Sequence, residues 1–506
     1  MSTRAKHSPK TTLLALLLAI GCSLLFYKAY EANKQLQPVL PTLAAKQAME
    51  RWFEGDNPTA LLQRTPINHL DSLRHIYRNS RYQMLWFDGY QLSDNGHQLI
   101  QQHQDIVQLL KQNRGKDKIA KVLQGLIPQH PEYLRLRQAF NRYQKLVSDN
   151  QWLNLKQRSQ LVLGDKHPQV ARMRALLTQT GDYQPDTNAQ EQRWSSYPDS
   201  SDDTEILDQT FDLELELALK RFQARHGTQA DGVLGRQTRK LLNITPNYRL
   251  RQIALNMKRW RELPRDLGER YIWVNMTDYT LQLVNRGEVE LDMRVIIGKE
   301  YRKTPVMTES ISSLVLNPHW NVPHRIAVND LLPQIKKDPN YLKQRRFNVY
   351  RGWNDKTPEN PDSINWANLG RGNFPYRLQQ KPGNGNALGR IKFIIPNDQS
   401  IYLHDTSNPQ LFKRDIRTLS SGCVRLEKPF ELANALIEGS EHWSPNRLQK
   451  TIRSQKTSYV KLPESVPTYL FYQTVWVDDQ DTLHFRDDIY QGDLVVHKRL
   501  SQPISL

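Results

Sequence analysis

Near residue 270 the apolar pattern of this chain changes period, and that change limits what it can fold into. Upstream, apolar residues recur at near-helical spacing: Leu62, Ile67, Leu70, Leu73 and Ile76, then Leu99, Ile100, Ile106, Leu109 and Leu110. Downstream, short β-rich runs alternate with turns. Tyr271 to Val274, Thr280 to Val284, Leu291 to Ile297, Ser313 to Asn317, Ile391 to Ile395 and Ser400 to His404 all read as strands, with Asn285-Arg286-Gly287 a turn. Helices first and strands afterwards predict a multidomain α+β protein. A length of 506 residues allows roughly three domains of ordinary size. The expected division is an N-terminal segment (1–30), a helical scaffold (31–155), a small helical module (156–245), a mostly-β domain (246–462) with an insertion at about 328–374, and a hairpin and tail (463–506).

Within the module, His167 to Thr180 is periodic, with Val170, Met173, Leu176 and Leu177 apolar. A polar stretch from Asp182 to about Asp208 reads as a loop. Asp212 is placed to cap the next helix, whose face carries Leu215, Ala218, Leu219 and Phe222. A third helix ends near Asn243. In the β half, Asn397-Asp398 turns the chain into the strand that ends at His404. A helix is expected from Glu431 to Glu438, and a closing hairpin from Thr468 to Val477 and Thr482 to Phe485.

The chemistry concentrates in Tyr402-Leu403-His404 and Ser420-Ser421-Gly422-Cys423-Val424-Arg425. The chain has two cysteines, and the other, Cys22, lies in an apolar N-terminal run, so Cys423 is expected as a free thiol. A lone cysteine is most often a small buried hydrophobe. An unpaired thiol in an oxidising compartment is a liability, and keeping one points to reactivity. A histidine can lower a thiol pKa and shuttle its proton. His404 precedes Cys423 by 423 − 404 = 19 residues, enough for a strand, a loop and a return. The small residues before the sulfur allow close backbone approach and a convergence of N–H groups on an oxyanion.

The N-terminus has Arg4, Lys6 and Lys10, then an apolar run from Leu13 to Tyr27. Three readings stand: an uncleaved anchor, a cleaved signal peptide with Ala19-Ile20-Gly21 as its site, or lipidation at Cys22. All three export the chain. Net charge is +18, spread in small groups such as Lys336-Lys337 and Lys413-Arg414. That suits a solvated basic surface or weak attraction to anionic lipid or wall polymer. There is no nucleic-acid signature, and no nucleic-acid partner is expected.

The cysteine segment resembles the L,D-transpeptidases of bacterial cell walls, the YkuD-like catalytic fold. That family's signature is a histidine, a spacer, Ser-His-Gly-Cys, and an arginine two residues after the cysteine. Ser421 stands where the motif histidine usually precedes the glycine, a departure found in the larger Gram-negative YcbB-like subgroup. Other segments resemble the same subgroup: Asn256 to Arg261, Glu269 to Asn275, Gly298-Lys299 with Thr304-Pro305, Asn317 to Pro323, and Gly385 to Gly389. The 328–374 insertion, with Trp353, Trp366 and Gly370-Arg371-Gly372, corresponds there to a subdomain capping the active site. Upstream, Phe222-Gln223, Gly227, Asp231-Gly232, Gly235, Thr238 and Leu241-Leu242-Asn243 resemble the three-helix peptidoglycan-binding module.

The resemblance implies a mostly-β catalytic domain and a cysteine acyltransferase without metal or cofactor. Cys423 would attack the residue-three carbonyl of a tetrapeptide stem, with His404 as proton shuttle. D-Ala would leave, and the acyl group would pass to a second stem's amine, giving a 3→3 cross-link. Gly422 and Cys423 would supply oxyanion N–H groups, with Ser420 and Ser421 supporting the site. Arg425 would either hold a carboxylate or brace the turn, and Tyr402 and Trp320 would line the pocket. Expected partners are peptidoglycan stems, cell-wall synthesis proteins, and the inner membrane through the N-terminal segment of a periplasmic protein. Two alternatives stay open: an L,D-carboxypeptidase using the same acyl-enzyme, and a wall-binding scaffold with an inert thiol. A papain-like arrangement is disfavoured because its cysteine precedes its histidine.

Overall fold

The computed structural model describes residues 128–149, 152–156, 160–184, 209–352 and 354–493. The N-terminal segment, the scaffold before residue 128, most of the polar insertion, Trp353 and the last residues of the tail lie outside them. The unit described here begins at His130.

The helical module forms where its periodicity predicts. Helix α1 spans Pro131–Asp149, α2 Pro168–Gln179, α3 Leu213–Arg225, α4 Arg236–Leu242 and α5 Pro246–Arg261. The Asp212 carboxylate accepts from the Leu215 N–H at 2.8 Å, capping α3. Leu176, Leu215, Leu219 and Leu234 are fully buried in one small core. The Gln223 side chain occupies its polar centre. Its amide donates to Asp231, to the Val233 carbonyl and to Thr238, and its oxygen accepts from the Gly232 N–H. A buried amide satisfied on both ends is a reason for the Gln, Asp-Gly and Thr to occur together.

Helix α1 packs against α5, and α5 ties the helices to the β half. Asn256 exchanges hydrogen bonds with Thr474, and Arg259 pairs with Asp493 at 2.7 Å.

The strands are β1 Arg270–Asn275, β2 Thr280–Asn285, β3 Glu288–Gly298, β4 Met307–Leu316, β5 Trp320–Asn321, β6 Phe347–Tyr350, β7 Arg377–Gln380, β8 Ile391–Ile394, β9 Leu403–His404, β10 Thr418–Ser420, β11 Val424–Leu426, β12 Ser458–Phe471, β13 Val475–Val477 and β14 Leu483–Phe485. Nine of them form one sheet, ordered β10-β3-β11-β9-β8-β4-β12-β1-β2. Strand β2 also pairs with β3, so all but β10 close into a ring. The inner face is apolar: Ile272, Leu283, Val295, Leu314, Phe393, Leu403 and Val424 are buried. Each such side chain contributes roughly 1.5–3 kcal/mol on burial. Helices α6 (Pro429–Leu436) and α7 (Pro445–Arg453) pack onto the same core through Leu432, Leu436, Leu448 and Ile452.

Two boundaries differ from the sequence reading. The division at 462/463 falls inside β12, which lies between β4 and β1 in the middle of the sheet. Leu462, Val466 and Leu470 are buried, so this stretch belongs to the domain's core. The closing hairpin is β13–β14 and starts at Val475. The insertion expected at about 328–374 is wider, because β5 and β7 pair to close it and β6 completes a three-stranded sheet. A helical stretch with a π-turn at Ala327–Leu331 joins it, and Val322, Leu332, Val349, Phe374 and Leu378 give it a core of its own.

Candidate active site

Strands β9 and β11 run parallel, with Leu403 opposite Val424 and His404 opposite Arg425. Leu403 and Val424 turn inward and are fully buried. Side chains alternate along a strand, so Tyr402, His404, Cys423 and Arg425 all stand on the outer face. Strand β8 adds to the row, placing Lys392 opposite His404. Its sequence Ile391-Lys392-Phe393 shows why: both apolar neighbours are buried and the lysine is aimed the other way.

The cysteine loop is held from three sides. Gly422 adopts φ +123°, and a Cβ there would lie 3.3 Å from Ile401. Its carbonyl accepts from the Thr304 hydroxyl at 2.7 Å, while the Gly298 N–H donates to that same hydroxyl at 2.9 Å. This accounts for the Gly298-Lys299 and Thr304-Pro305 pieces of the pattern. Ser420 donates to the Cys423 carbonyl at 2.6 Å and accepts from the Gly422 N–H at 3.1 Å. Ser421 is exposed, and its hydroxyl accepts from Arg302 at 3.0 Å.

These bonds correct one expectation. The Gly422 N–H already has Ser420 as its partner, so it is not a free oxyanion donor. The Cys423 N–H has no hydrogen-bond partner among the described residues. Ser420 braces the loop and makes no hydrogen bond to the histidine among the described residues.

Cys423 is a free, half-buried thiol, with its sulfur 3.7 Å from the Ser400 carbonyl oxygen. Burial pushes its pKa up. The Tyr402 N–H and phenol, and the cations Lys392 and Arg425, pull it back down. His404 is 5% exposed, and its Nδ1 lies 2.5 Å from the Asp405 carbonyl oxygen. Burial first, and then Arg425, push its pKa down to about 3, so the ring is neutral at ordinary pH. The Asp405 and Leu388 carbonyls both lie against the ring as hydrogen-bond acceptors. No hydrogen bond joins His404 to Cys423. The two stand as neighbours on adjacent strands.

Asp405 fixes that carbonyl. Its carboxylate accepts from the N–H groups of Arg390 at 2.7 Å and Thr406 at 2.6 Å. Gly389, at φ +63°, makes room for it, since a Cβ there would come within 2.3 Å of the Asp405 carboxylate. Tyr402 packs edge-on to His404, with ring centroids 5.6 Å apart. Burial drives the Tyr402 pKa far up, against the pull of a hydrogen bond from Trp320. Trp320 sits on β5, so the capping sheet reaches Tyr402, beside the thiol, through this indole. Arg302 adds a second bridge. Besides Ser421 it pairs with Asp330 on the cap's π-turn, Nη2 to Oδ1 at 2.8 Å.

Sequence reasoning passed over Lys392, Arg302, Asp330 and Asp405. Only Lys392 left a signal, as the polar member of an alternating apolar strand.

Residues 269–443 match the L,D-transpeptidase catalytic domain family (YkuD), and residues 192–242 match the family described as "Putative peptidoglycan binding domain". A curated relative from Haemophilus influenzae, "Putative L,D-transpeptidase", is 39% identical over 256 residues, covering 51% of this chain and 50% of the relative. The chain thus spans about half the length of that relative. Among solved structures, an L,D-transpeptidase from Stackebrandtia nassauensis is 13% identical, with coverage of 62% of this chain and 94% of that one and a TM-score of 0.21. An L,D-transpeptidase from Mycobacterium smegmatis is 14% identical, with coverage of 40% and 58% and a TM-score of 0.19. Overlays that loose carry no argument. The family matches and the curated relative show that this chain carries an L,D-transpeptidase catalytic domain over residues 269–443, together with a peptidoglycan-binding domain upstream of it.

Proposed function

We propose that this chain is a peptidoglycan L,D-transpeptidase that forms 3→3 cross-links. The observation that carries the reading is the parallel β9–β11 register, which sets a free thiol and a neutral, carbonyl-anchored imidazole side by side on one face. The thiol gives its proton to His404, and sulfur attacks the residue-three carbonyl of a tetrapeptide stem. The Cys423 N–H and the Tyr402 hydroxyl receive the oxyanion. Each such donor is worth about 3 kcal/mol. The carbon–nitrogen bond breaks, D-Ala leaves with the proton held by His404, and a thioester remains. The side-chain amine of a second stem attacks that thioester, His404 takes its proton, and the thiol is restored. Closing the gap between His404 and Cys423 is the task of substrate binding, since catalytic hydrogen bonds often tighten only then.

The matched peptidoglycan-associated domains suit an extracytoplasmic, periplasmic protein that holds its substrate polymer through the helical module. No helix among the described residues is long and apolar enough to cross a membrane. The proposed anchor lies in the N-terminal segment outside them.

The test is intact mass of the protein after incubation with tetrapeptide-stem muropeptide, beside Cys423→Ala. A Cys423-dependent acyl adduct together with a 3→3 dimer is the expected result. D-Ala release without dimer would make the protein an L,D-carboxypeptidase. A folded protein that forms no adduct would be a wall-binding scaffold.

A further inference from the structure

Two cations face the thiol, and neither has an acidic partner among the described residues. Across β8, β9 and β11 the outward row is Lys392, His404, Arg425. The Lys392 ammonium rests 3.9 Å from the centre of the Tyr402 ring. Among the described residues no carboxylate lies within salt-bridge distance of either Lys392 or Arg425, whereas Arg302 pairs with Asp330 and Arg270 with Glu290. Nε of Arg425 is buried with no hydrogen-bond partner. An orphan guanidinium donor in a protein interior costs free energy unless something arrives to accept from it.

The nearby groups do not supply that acceptor. Asp405 spends its oxygens on the Arg390 and Thr406 N–H groups. His404 is neutral. A thiolate at Cys423 supplies a single negative charge against two positive ones. One further anion is needed to balance the row, and the site described above is where a substrate would bring it.

We propose that Lys392 and Arg425 form a carboxylate-binding subsite that holds the donor stem by its C-terminal carboxylate. The proposal rests on the transpeptidase reading. In a tetrapeptide stem the terminal carboxylate lies one residue beyond the carbonyl that is attacked. One residue spans about 3.8 Å, and neighbouring strands are about 4.8 Å apart. A carbonyl seated at Cys423 therefore places its terminal carboxylate over β9, between Arg425 on β11 and Lys392 on β8. A longer stem would carry its carboxylate past the two cations. The pair would then select stems that end one residue after the bond to be broken.

Matched donors test this: one tetrapeptide stem with a free terminal carboxylate and the same stem as its carboxamide. The readout is the rate of Cys423 acylation in the full chain, followed by intact mass. Wild type is expected to favour the acid by about tenfold or more, the worth of a charge-assisted contact. Lys392→Gln should collapse that ratio toward one, and Lys392→Arg should restore part of it. Alkylation of Cys423 by iodoacetamide should move to higher pH in Lys392→Gln, because Lys392 also pulls the thiol pKa down, so the acid-to-amide ratio within each variant is what reads the subsite. Equal rates on both donors in wild type would overturn the subsite and leave the transpeptidase reading standing. So would an unchanged ratio in Lys392→Gln, which would leave Lys392 a stabiliser of the thiolate alone. A folded wild type acylated by neither donor would instead overturn the reading beneath it.

Discussion

His404 sets the pH behaviour of the site because it is buried without a carboxylate. Its folded pKa, about 3, lies below the ordinary value of 6.5. The unfolded chain therefore binds the extra proton first, so the contribution of this residue to stability is present above pH 6.5 and is lost as pH falls toward 3. Denaturant midpoints measured from pH 8 to pH 4 should fall less steeply for His404→Gln than for wild type. Gly422 is the second point of strain. Gly422→Ala asks an alanine to hold φ +123°, a conformation that costs about 1–3 kcal/mol. Shifting the loop relieves that strain and misplaces the sulfur. Acylation should drop about 100-fold while the circular dichroism spectrum is kept. Cys423 and His404 could be read from sequence, since a lone thiol beside small residues and a histidine at a strand end are local signals. Lys392 was visible only as one polar residue in an apolar alternation. The occupied Gly422 N–H was not visible at all, because it depends on which way the Ser420 hydroxyl turns.

At the scale of elements, the cap is tied to the cysteine loop by single side chains. Arg302 is the clearest, bound to Asp330 on one side and Ser421 on the other. Asp330 is partly exposed, and such pairs are worth about 0–1 kcal/mol. Asp330→Ala should therefore leave the melting temperature nearly unchanged. Amide exchange in 324–337 should quicken, which hydrogen-exchange mass spectrometry would detect. Asp212→Ala acts on a different element. Losing the α3 cap, and its 3.0 Å pair with Arg174, should lower unfolding free energy by about 1 kcal/mol in a denaturant titration. That cap was legible because Asp before an apolar helical face is a local pattern. The ends of β12 were not legible. Glu464 and Ser465 interrupt its alternation at a register shift, and a bulge of this kind resembles a break between elements.

Taken as a whole, the helical module is joined to the β13–β14 hairpin through the arginine of a buried ion pair within the module. Arg225 donates to Asp182 at 2.6 Å through Nε and to the Leu483 carbonyl at 3.2 Å. His226 stacks on Phe485, with ring centroids 5.2 Å apart. Arg225→Met strands the Asp182 carboxylate in the interior and should cost about 3–5 kcal/mol, read as a lower denaturation midpoint of the full chain. The module itself could be anticipated from its Gln, Asp-Gly and Thr positions. Its docking could not, because the residues that meet there are far apart in the chain. The same remoteness shapes how the β domain comes into being. Strand β1 lies against β12 and β2, and β4 lies against β12 and β8, so the ring stays open until residues 458–471 arrive. A chain emerging from its N-terminal end would present two unpaired strand edges, on β1 and β4, from the completion of β4 at Leu316 until Ser458 arrives. The row of β8, β9 and β11 is free to pair in that interval, and the last seam of the ring closes only with β12.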